Sequence, residues 1–249
     1  MSAPKPLHEH MSRDGFRLRG TAMSRIEGFS DVVFGFALTL IVVSLEVPHT
    51  FDDLRVVLFG FIPFFICFAF LITVWWAHYH FFRRYGLHDT ATIIINSALL
   101  FCLLFYVYPL KFLFSLVIVP GNTHAQTFSE IHQLRELMTV YGFGFSAIYL
   151  CIVLLYANAY RQRHELRLNK LETALTLACI ADDIGSVAIG LLCVLLAQLL
   201  PPELAGKAGW AFFVICIYKT VHGIIARKRT RLARARCSEH ELTGPITHG

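Results

Sequence analysis

The sequence predicts an all-α polytopic membrane protein with six transmembrane helices. Three observations predict it: an excess of apolar residues, long uncharged runs, and an uneven placement of Lys and Arg between those runs. Hydrophobic residues make up 56% of the 249 residues and charged residues only 16%. A soluble domain carries about a quarter charged residues, because its surface must be hydrated. The composition therefore excludes an ordinary soluble enzyme, a soluble nucleic-acid-binding domain and a disordered regulator.

The first half of the chain contains three apolar runs of the length that a bilayer requires. A helix needs about 20 apolar residues to cross about 30 Å of hydrocarbon. The run at 32–45 is too short alone, so a full first crossing at 25–47 requires residues 25–31 to be helical as well. The second and third runs are uncharged over most of their length and predict helices at 55–79 and 91–114.

The second half of the chain contains three more runs, which predict helices at 137–160, 173–200 and 208–226. The first of these is uncharged, the second contains Asp182 and Asp183, and the third contains a lysine and a histidine and is the least apolar. Strands of a membrane β-barrel alternate polar and apolar residues over about 10 positions. These runs are continuous and about twice as long as such strands, so they predict helices.

Basic residues in the predicted loops are concentrated on one side of the membrane. One side has 17 of them: Lys5, Arg13, Arg17, Arg19, Arg25, Arg83, Arg84, Arg161, Arg163, Arg167, Lys170, Arg227, Lys228, Arg229, Arg231, Arg234 and Arg236. The other side has four: Arg55, Lys111, Arg135 and Lys207. Because cytoplasmic loops carry the excess of Lys and Arg, the bias predicts that both termini are cytoplasmic. That orientation also requires an even number of crossings.

The polar ends of the chain divide it into three predicted parts. Residues 1–24 form a cytoplasmic N-terminal segment, residues 25–226 the transmembrane domain, and residues 227–249 a basic cytoplasmic tail. Two interpretations of the tail are open. It binds anionic membrane lipid, which contributes about 1 kcal/mol per basic residue near the surface, or it only sets the topology, which we favour. A single short set of helices without long tails favours a plasma membrane.

The first predicted helix differs from the others because its cytoplasmic end is polar. Arg25, Ser30 and Asp31 lie there. Charges within a membrane cost about 2.5–3.5 kcal/mol each on insertion scales, so they are usually paired and mark a functional interior. Arg25 and Asp31 are six positions apart and do not share a helix face. We therefore expect their partners on other helices.

Farther along the same helix, apolar residues form a stripe. Phe36, Leu40 and Val43 have the spacing of one helix face. Thr39 is a polar neighbour of this stripe. The spacing alone is typical of an ordinary packing stripe.

The order of several motifs in the first three predicted helices resembles one known family. The residues that carry the resemblance are Arg25, Phe29, Ser30, Asp31, Thr39, Leu40, Trp75, His78, His80, Phe81, Phe82, Arg83, Arg84, Asn96 and Pro109. In order and in register with the predicted helices, they are similar to the signature of the potassium channels of the transmembrane protein 175 family. The resemblance covers about residues 24–112, whereas the later helices match mainly in number and hydropathy.

The resemblance implies a homotetramer in which the first helices of four six-helix subunits line a central pore. The family lacks the selectivity loop of ordinary potassium channels, and no TVGYG sequence occurs here. The implied constriction is an apolar ring that begins at Phe36 and continues at Leu40 and Val43, beside Thr39. A narrow apolar ring gates by dewetting. Because K⁺ sheds its water more easily than Na⁺, we expect a potassium-permeable channel with modest K⁺ selectivity.

One position departs from the family pattern. The family usually carries Ile or Leu where this chain has Phe36, and the larger planar ring would either seal the axis or open it by a rotamer change. We also expect Ser30 and Asp31, with Arg25, to form a polar network with Trp75 and His78 that holds the first two helices in register. Trp75 and His78 are alternatively plain anchors at the membrane interface.

The main alternative function is a proton-coupled secondary transporter that uses Asp182 and Asp183. Paired acids within a membrane bind and release protons. They would instead be structural if they lay at the cytoplasmic start of the fifth helix or paired with His or Arg of another helix. Transporters often contain two related halves, and residues 25–112 show no repeat in 137–226, which disfavours this function.

A membrane metalloenzyme is a weaker alternative. His78 and His80 are two positions apart on a helix and point in different directions. No HExxH motif and no other set of residues with metal-ligand spacing occurs. We therefore expect no catalytic residue, no metal site, no cofactor other than the permeating K⁺, and no nucleic-acid partner.

Overall fold

The computed structural model describes residues 11–12, 14–43, 50–118 and 131–201. These residues form five helices: α1 Arg25–Val43, α2 Phe51–Tyr85, α3 Thr90–Ile118, α4 Ile131–Arg161 and α5 Lys170–Leu199. The predicted all-α class is thereby confirmed for this part of the chain. The predicted sixth helix at 208–226 and the basic tail lie outside the described residues.

Two helices extend well beyond the ends that hydropathy predicted. α2 continues past residue 79 to Tyr85, and α4 begins at Ile131 rather than at residue 137. The predicted ends were placed where the apolar runs stop. The helices continue because the charged residues there have polar partners: the guanidinium of Arg135, for example, donates to the carbonyl oxygen of Leu200 at 3.1 Å.

Four of the described helices are long and apolar enough to cross a membrane. The stretches that meet this condition are Phe61–Tyr85, Thr90–Val107, Arg135–Arg161 and Lys170–Leu199. Their outward faces carry large apolar side chains, such as Phe101 of α3. Lipid solvates such a face, whereas water would not.

α1 packs against α2 and α3, and within the described residues it has no contact with α4 or α5. The face of α1 turned toward α2 and α3 contains Ser30, Phe34, Ala37 and Ile41, all of which are buried. Their spacing of four, three and four residues is that of a single helix face. α1 is therefore a helix with one packed face on one side of the bundle.

α4 and α5 approach each other closely where Gly142 and Gly190 face each other. A Cβ atom on Gly190 would lie 2.3 Å from Oγ of Ser146 and 3.0 Å from the carbonyl oxygen of Gly142. Small residues allow membrane helices to approach this closely, because association in lipid depends on van der Waals packing.

We expect Gly190→Ala to separate α4 from α5 and to destabilise the bundle by about 1–3 kcal/mol, as overpacked cores do. Thermal unfolding in mild detergent measures the effect as a lower Tm. Gly28→Ala is the matched control, because a Cβ there meets only the end of the Met23 side chain, at 3.5 Å. Equal Tm values for the two variants would contradict the proposed close packing.

Candidate functional site

A chain of hydrogen bonds between buried polar side chains joins α2, α3 and α1. The Nε2 atom of His78 on α2 lies 2.9 Å from Oδ1 of Asn96 on α3. The amide nitrogen of Asn96 donates to Oγ of Ser30 on α1 at 2.9 Å. All three residues are at most 2% exposed. One asparagine therefore connects the other two helices to each other.

The donors and acceptors in this chain of hydrogen bonds follow one consistent direction. The Asn96 amide nitrogen donates to Ser30, so its oxygen is the acceptor and Nε2 of His78 carries the proton. The Ser30 hydroxyl in turn donates to the carbonyl oxygen of Ile26 at 2.7 Å. The rings of Phe34 and Phe82 enclose the imidazole, with centroids 5.6 Å and 4.6 Å from it. Such an apolar enclosure makes an unpaired polar atom costly, so it favours this one arrangement.

A second polar link between α1 and α2 lies nearer the surface. The indole nitrogen of Trp75 donates to Oδ1 of Asp31 at 2.8 Å. The Trp75 ring stacks on Tyr79, with centroids 5.6 Å apart. The link lies one residue along α1 from Ser30, so the two contacts together restrain the rotation of the helix.

The structure does not bring Arg25 into this group. Arg25 is the first residue of α1 and is exposed, and its side chain has no hydrogen bond or ion pair with another described residue. Phe29 is also exposed. Both residues lie on the face of α1 that is turned away from Ser30, because a helix turns by about 100° per residue.

The predicted stripe of α1 also lies on this exposed face. Phe36 is 59% exposed and Leu40 is 45% exposed. Thr39 is exposed as well, and its hydroxyl donates to the carbonyl oxygen of Phe36 at 2.7 Å. Val43 is the last described residue of α1, and its side chain lies outside the description. One face of α1 is thus held by polar contacts, and another presents Phe36 and Leu40 outward.

The two acids of the fifth helix lie far from its start. α5 begins at Lys170, so Asp182 and Asp183 lie about 20 Å along the helix at about 1.5 Å per residue. The alternative in which they lie at the cytoplasmic start of the helix is therefore wrong. The helix continues upstream of them, as the predicted bounds 173–200 required. Asp183 is buried, and neither acid is without an interaction partner.

Within the described residues, no three His, Cys, Asp or Glu side chains are grouped so that they could hold a metal ion. His78 is engaged by Asn96. The His80 ring packs edge-on against Trp76, with centroids 4.7 Å apart. The two histidines thus have different neighbours.

Two buried polar residues that join separate parts of the chain were not predicted from the sequence. Asn96 contributed to the family resemblance but was not placed in the polar network, although an amide within an apolar run is a signal for a buried partner. Glu172 was not singled out at all. Its carboxylate is buried at the start of α5 and pairs with Arg19 of the N-terminal segment at 2.9 Å.

Comparison with known proteins identifies similar sequences. The family model of the endosomal/lysosomal potassium channel TMEM175 matches residues 25–109, which contain α1, α2 and most of α3. A potassium channel from Marivirga tractuosa is 40% identical over 228 residues, which cover 87% of this chain and 92% of that protein.

Two solved structures are similar to this one. The potassium channel MtTMEM175, in a crystal structure of a variant bound to a nanobody–MBP fusion protein, matches with a TM-score of 0.76 and 35% identity, covering 88% of this chain and 99% of that chain. A lysosomal potassium-selective channel TMEM175 homologue from Chamaesiphon minutus has a TM-score of 0.55 and 23% identity, covering 80% of this chain and 96% of that chain. The second match shows a shared fold.

We expect Asn96→Leu to loosen α1 from the bundle. The change removes both hydrogen bonds: Nε2 of buried His78 loses its acceptor, and the Ser30 oxygen loses its donor while its hydroxyl still donates to Ile26. We expect a cost of about 1–3 kcal/mol. A lower Tm in mild detergent measures the loss. Ser97→Ala is the matched control, since Ser97 is exposed and its hydroxyl donates only to Ile93 of its own helix. If the Asn96→Leu protein is as stable as the control, the hydrogen bonds through Asn96 do not hold α1.

Proposed function

This chain belongs to the family of the endosomal/lysosomal potassium channel TMEM175, and on that premise we propose that it conducts K⁺ through a pore lined by the first helices of several copies. The relatives with 40% and 35% identity are both named potassium channels, which places the chain among channels rather than enzymes. The observation that carries the proposal is the division of α1 into a packed face and an exposed face that contains Phe36 and Leu40.

The proposed pore requires more than one copy of the chain. One helix cannot enclose an axis, and α1 has neighbours on one side only within the described residues. We propose four copies arranged around a closed symmetry axis, so that the same face of each α1 is turned inward. The chain of hydrogen bonds through Asn96 supports this arrangement, because it gives α1 the same rotation in every copy.

The proposed constriction is a ring of four Phe36 side chains. Leu40 and Val43 continue the ring along the axis. Dewetting between apolar rings gates the flow of ions. A partly dehydrated K⁺ loses less hydration free energy there than Na⁺ does, which gives modest selectivity. Thr39 lies beside this ring, and its hydroxyl donates to the carbonyl oxygen of Phe36, which leaves the oxygen lone pairs available to a passing ion.

The proposed topology places both termini in the cytoplasm of a cell with the channel in its plasma membrane. The N-terminal segment contacts the end of α2 and the turn between α4 and α5: Gly20 bonds to Arg83 and Arg19 to Leu166. These three basic parts of the chain thus lie on one side, which supports the orientation that the charge bias predicts. Binding of anionic membrane lipid by the basic tail also stays a proposal.

A second candidate function is proton-coupled transport through Asp182 and Asp183. The burial of Asp183 in the middle of α5 favours it, since acids at such depth in a membrane helix are often functional.

We expect Phe36→Ala to raise K⁺ flux several-fold and to lower the K⁺/Na⁺ permeability ratio, because the change widens the apolar ring. Bilayer recordings in K⁺ and Na⁺ gradients measure both quantities. Phe101→Ala is the matched control, with the same change of side chain on the exposed surface of α3. If flux and selectivity of Phe36→Ala equal those of the wild type, Phe36 is not the constriction. A purified protein of monomeric mass in mild detergent would contradict the shared pore.

The two candidate functions make opposite predictions about protons. For a channel, reconstituted wild-type protein passes K⁺ electrogenically down its gradient without a pH gradient, and Asp182→Asn and Asp183→Asn retain that flux. Liposome flux assays with and without an imposed pH gradient measure this. Flux that needs the proton gradient and disappears in Asp182→Asn would favour the transporter.

A further inference from the structure

The buried carboxylate of Glu172 joins the N-terminal segment to the first turn of α5. Its side chain is 0% exposed. It accepts a hydrogen bond from the backbone N–H of Arg17 at 2.9 Å and another from the guanidinium of Arg19 at 2.9 Å. It also accepts from the backbone N–H of Asn169, which completes the N-terminal cap of α5. Hydrogen bonds to an ionised carboxylate are about twice as strong as neutral ones, so this is a firm anchor.

Beyond this anchor the N-terminal segment runs along the end of α2. The N–H of Gly20 donates to the carbonyl oxygen of Arg83 at 3.2 Å, and the Arg83 guanidinium returns a bond to the Gly20 carbonyl at 2.8 Å. The segment approaches so closely that a Cβ on Gly20 would lie 2.3 Å from the carbonyl oxygen of Phe82. Nearby, Arg84 pairs with Asp14 at 2.5 Å. These contacts fix the position of Gly20.

The carboxyl group of Asp14 also helps to hold the N-terminal segment against α2, through its ion pair with Arg84. Its partial burial raises its pKa, but the hydrogen bond from Ser12 and the charge of Arg84 outweigh this and hold the pKa below its ordinary value. The pair therefore remains ionised at neutral pH, and the segment stays attached to α2.

Only residues 21–24 separate Gly20 from the start of α1 at Arg25. The start of α1 is itself fixed, because Ser24 and Glu27 cap it reciprocally: the N–H of Glu27 donates to Oγ of Ser24 at 3.3 Å, and the N–H of Ser24 donates to Oε1 of Glu27 at 3.2 Å. Such a short connection spans at most about 3.6 Å per residue, so it has little slack. α1 has no direct contact with α5 in the described residues.

We propose that Glu172 is a positioning residue for the pore helix. Through Arg19 and the short connection that follows, it fixes the cytoplasmic end of α1 relative to the first turn of α5, and thereby sets how often the pore is open. This role rests on the proposed channel function. Asn96 holds α1 at Ser30, and the Glu172 anchor acts on the residues before Ser30, at the first turn of the helix.

Single-channel recordings in planar bilayers test the proposal with Glu172→Gln, Arg19→Gln and the double variant. We expect each single change to alter the open probability by about fivefold or more, the lower end of typical coupling between sites. The double variant should resemble the stronger single variant, because both changes remove the same link. Unitary conductance and the K⁺/Na⁺ permeability ratio should stay at wild-type values, because the anchor does not touch the constriction. A merely structural role would lower the yield of folded channel without changing its open probability.

Two further variants complete the experiment. Glu165→Gln removes an exposed acid from the turn between α4 and α5 and is the matched control, with an unchanged open probability expected. Arg17→Gln replaces Glu172→Gln if that variant does not assemble. The Arg17 side chain is 54% exposed and lies 3.7 Å from the Glu172 carboxylate. The bond from the backbone N–H of residue 17 to Glu172 remains in this variant. We expect it to shift the open probability in the same direction as Glu172→Gln, by a smaller factor.

The outcomes separate this proposal from the channel function itself. Variants that fold and assemble as the wild type does but keep its open probability would overturn the role of Glu172 alone. A double-variant effect equal to the product of the two single effects would overturn it too. A wild-type protein that passes no K⁺ refutes the channel function, and the positioning role fails with it.

Discussion

The position of α1 depends on the buried chain of hydrogen bonds that runs from His78 through Asn96 to Ser30. Three polar side chains in an apolar interior have few arrangements in which each finds a partner, and unpaired polar atoms there are costly. A rotation of α1 by one residue, about 100°, would turn Ser30 away from Asn96. The chain therefore specifies the rotation of α1 more sharply than apolar packing alone would.

That rotation decides what the opposite side of α1 presents. Apolar side chains lie on both faces of the helix, so hydrophobicity does not distinguish them. Phe34 is buried because it is on the side of Ser30, and Phe36 is exposed because it is two residues farther along. For a proposed pore made of identical copies, a fixed rotation has the further consequence that every copy offers the same residues to the axis.

The arginines near the N-terminal segment show how residues that predict the topology also build structure. Their number on one side is what predicts the orientation of the chain. In the folded protein, Arg19 and Arg84 are held by Glu172 and Asp14. These ion pairs let the N-terminal segment lie against α2 and α5 while its basic residues remain charged. The described part of the segment thus belongs to the folded domain, whereas composition alone predicted only a polar N-terminal segment.

The sequence by itself determined that this is a membrane protein. It also determined which parts of the chain form the described helices and which helix has a polar end. These are local properties, because the length and hydropathy of a run do not depend on what packs against it. Tertiary structure decided where helices end, as α2 does at Tyr85, since the partners of Arg83 and Arg84 come from residues far away in the chain. It also decided which polar residues meet. Asn96 joins Ser30 across 66 positions and Arg19 joins Glu172 across 153, whereas Arg25 stays apart. Such pairs depend on how the helices are placed in space, which hydropathy and spacing along one helix do not encode.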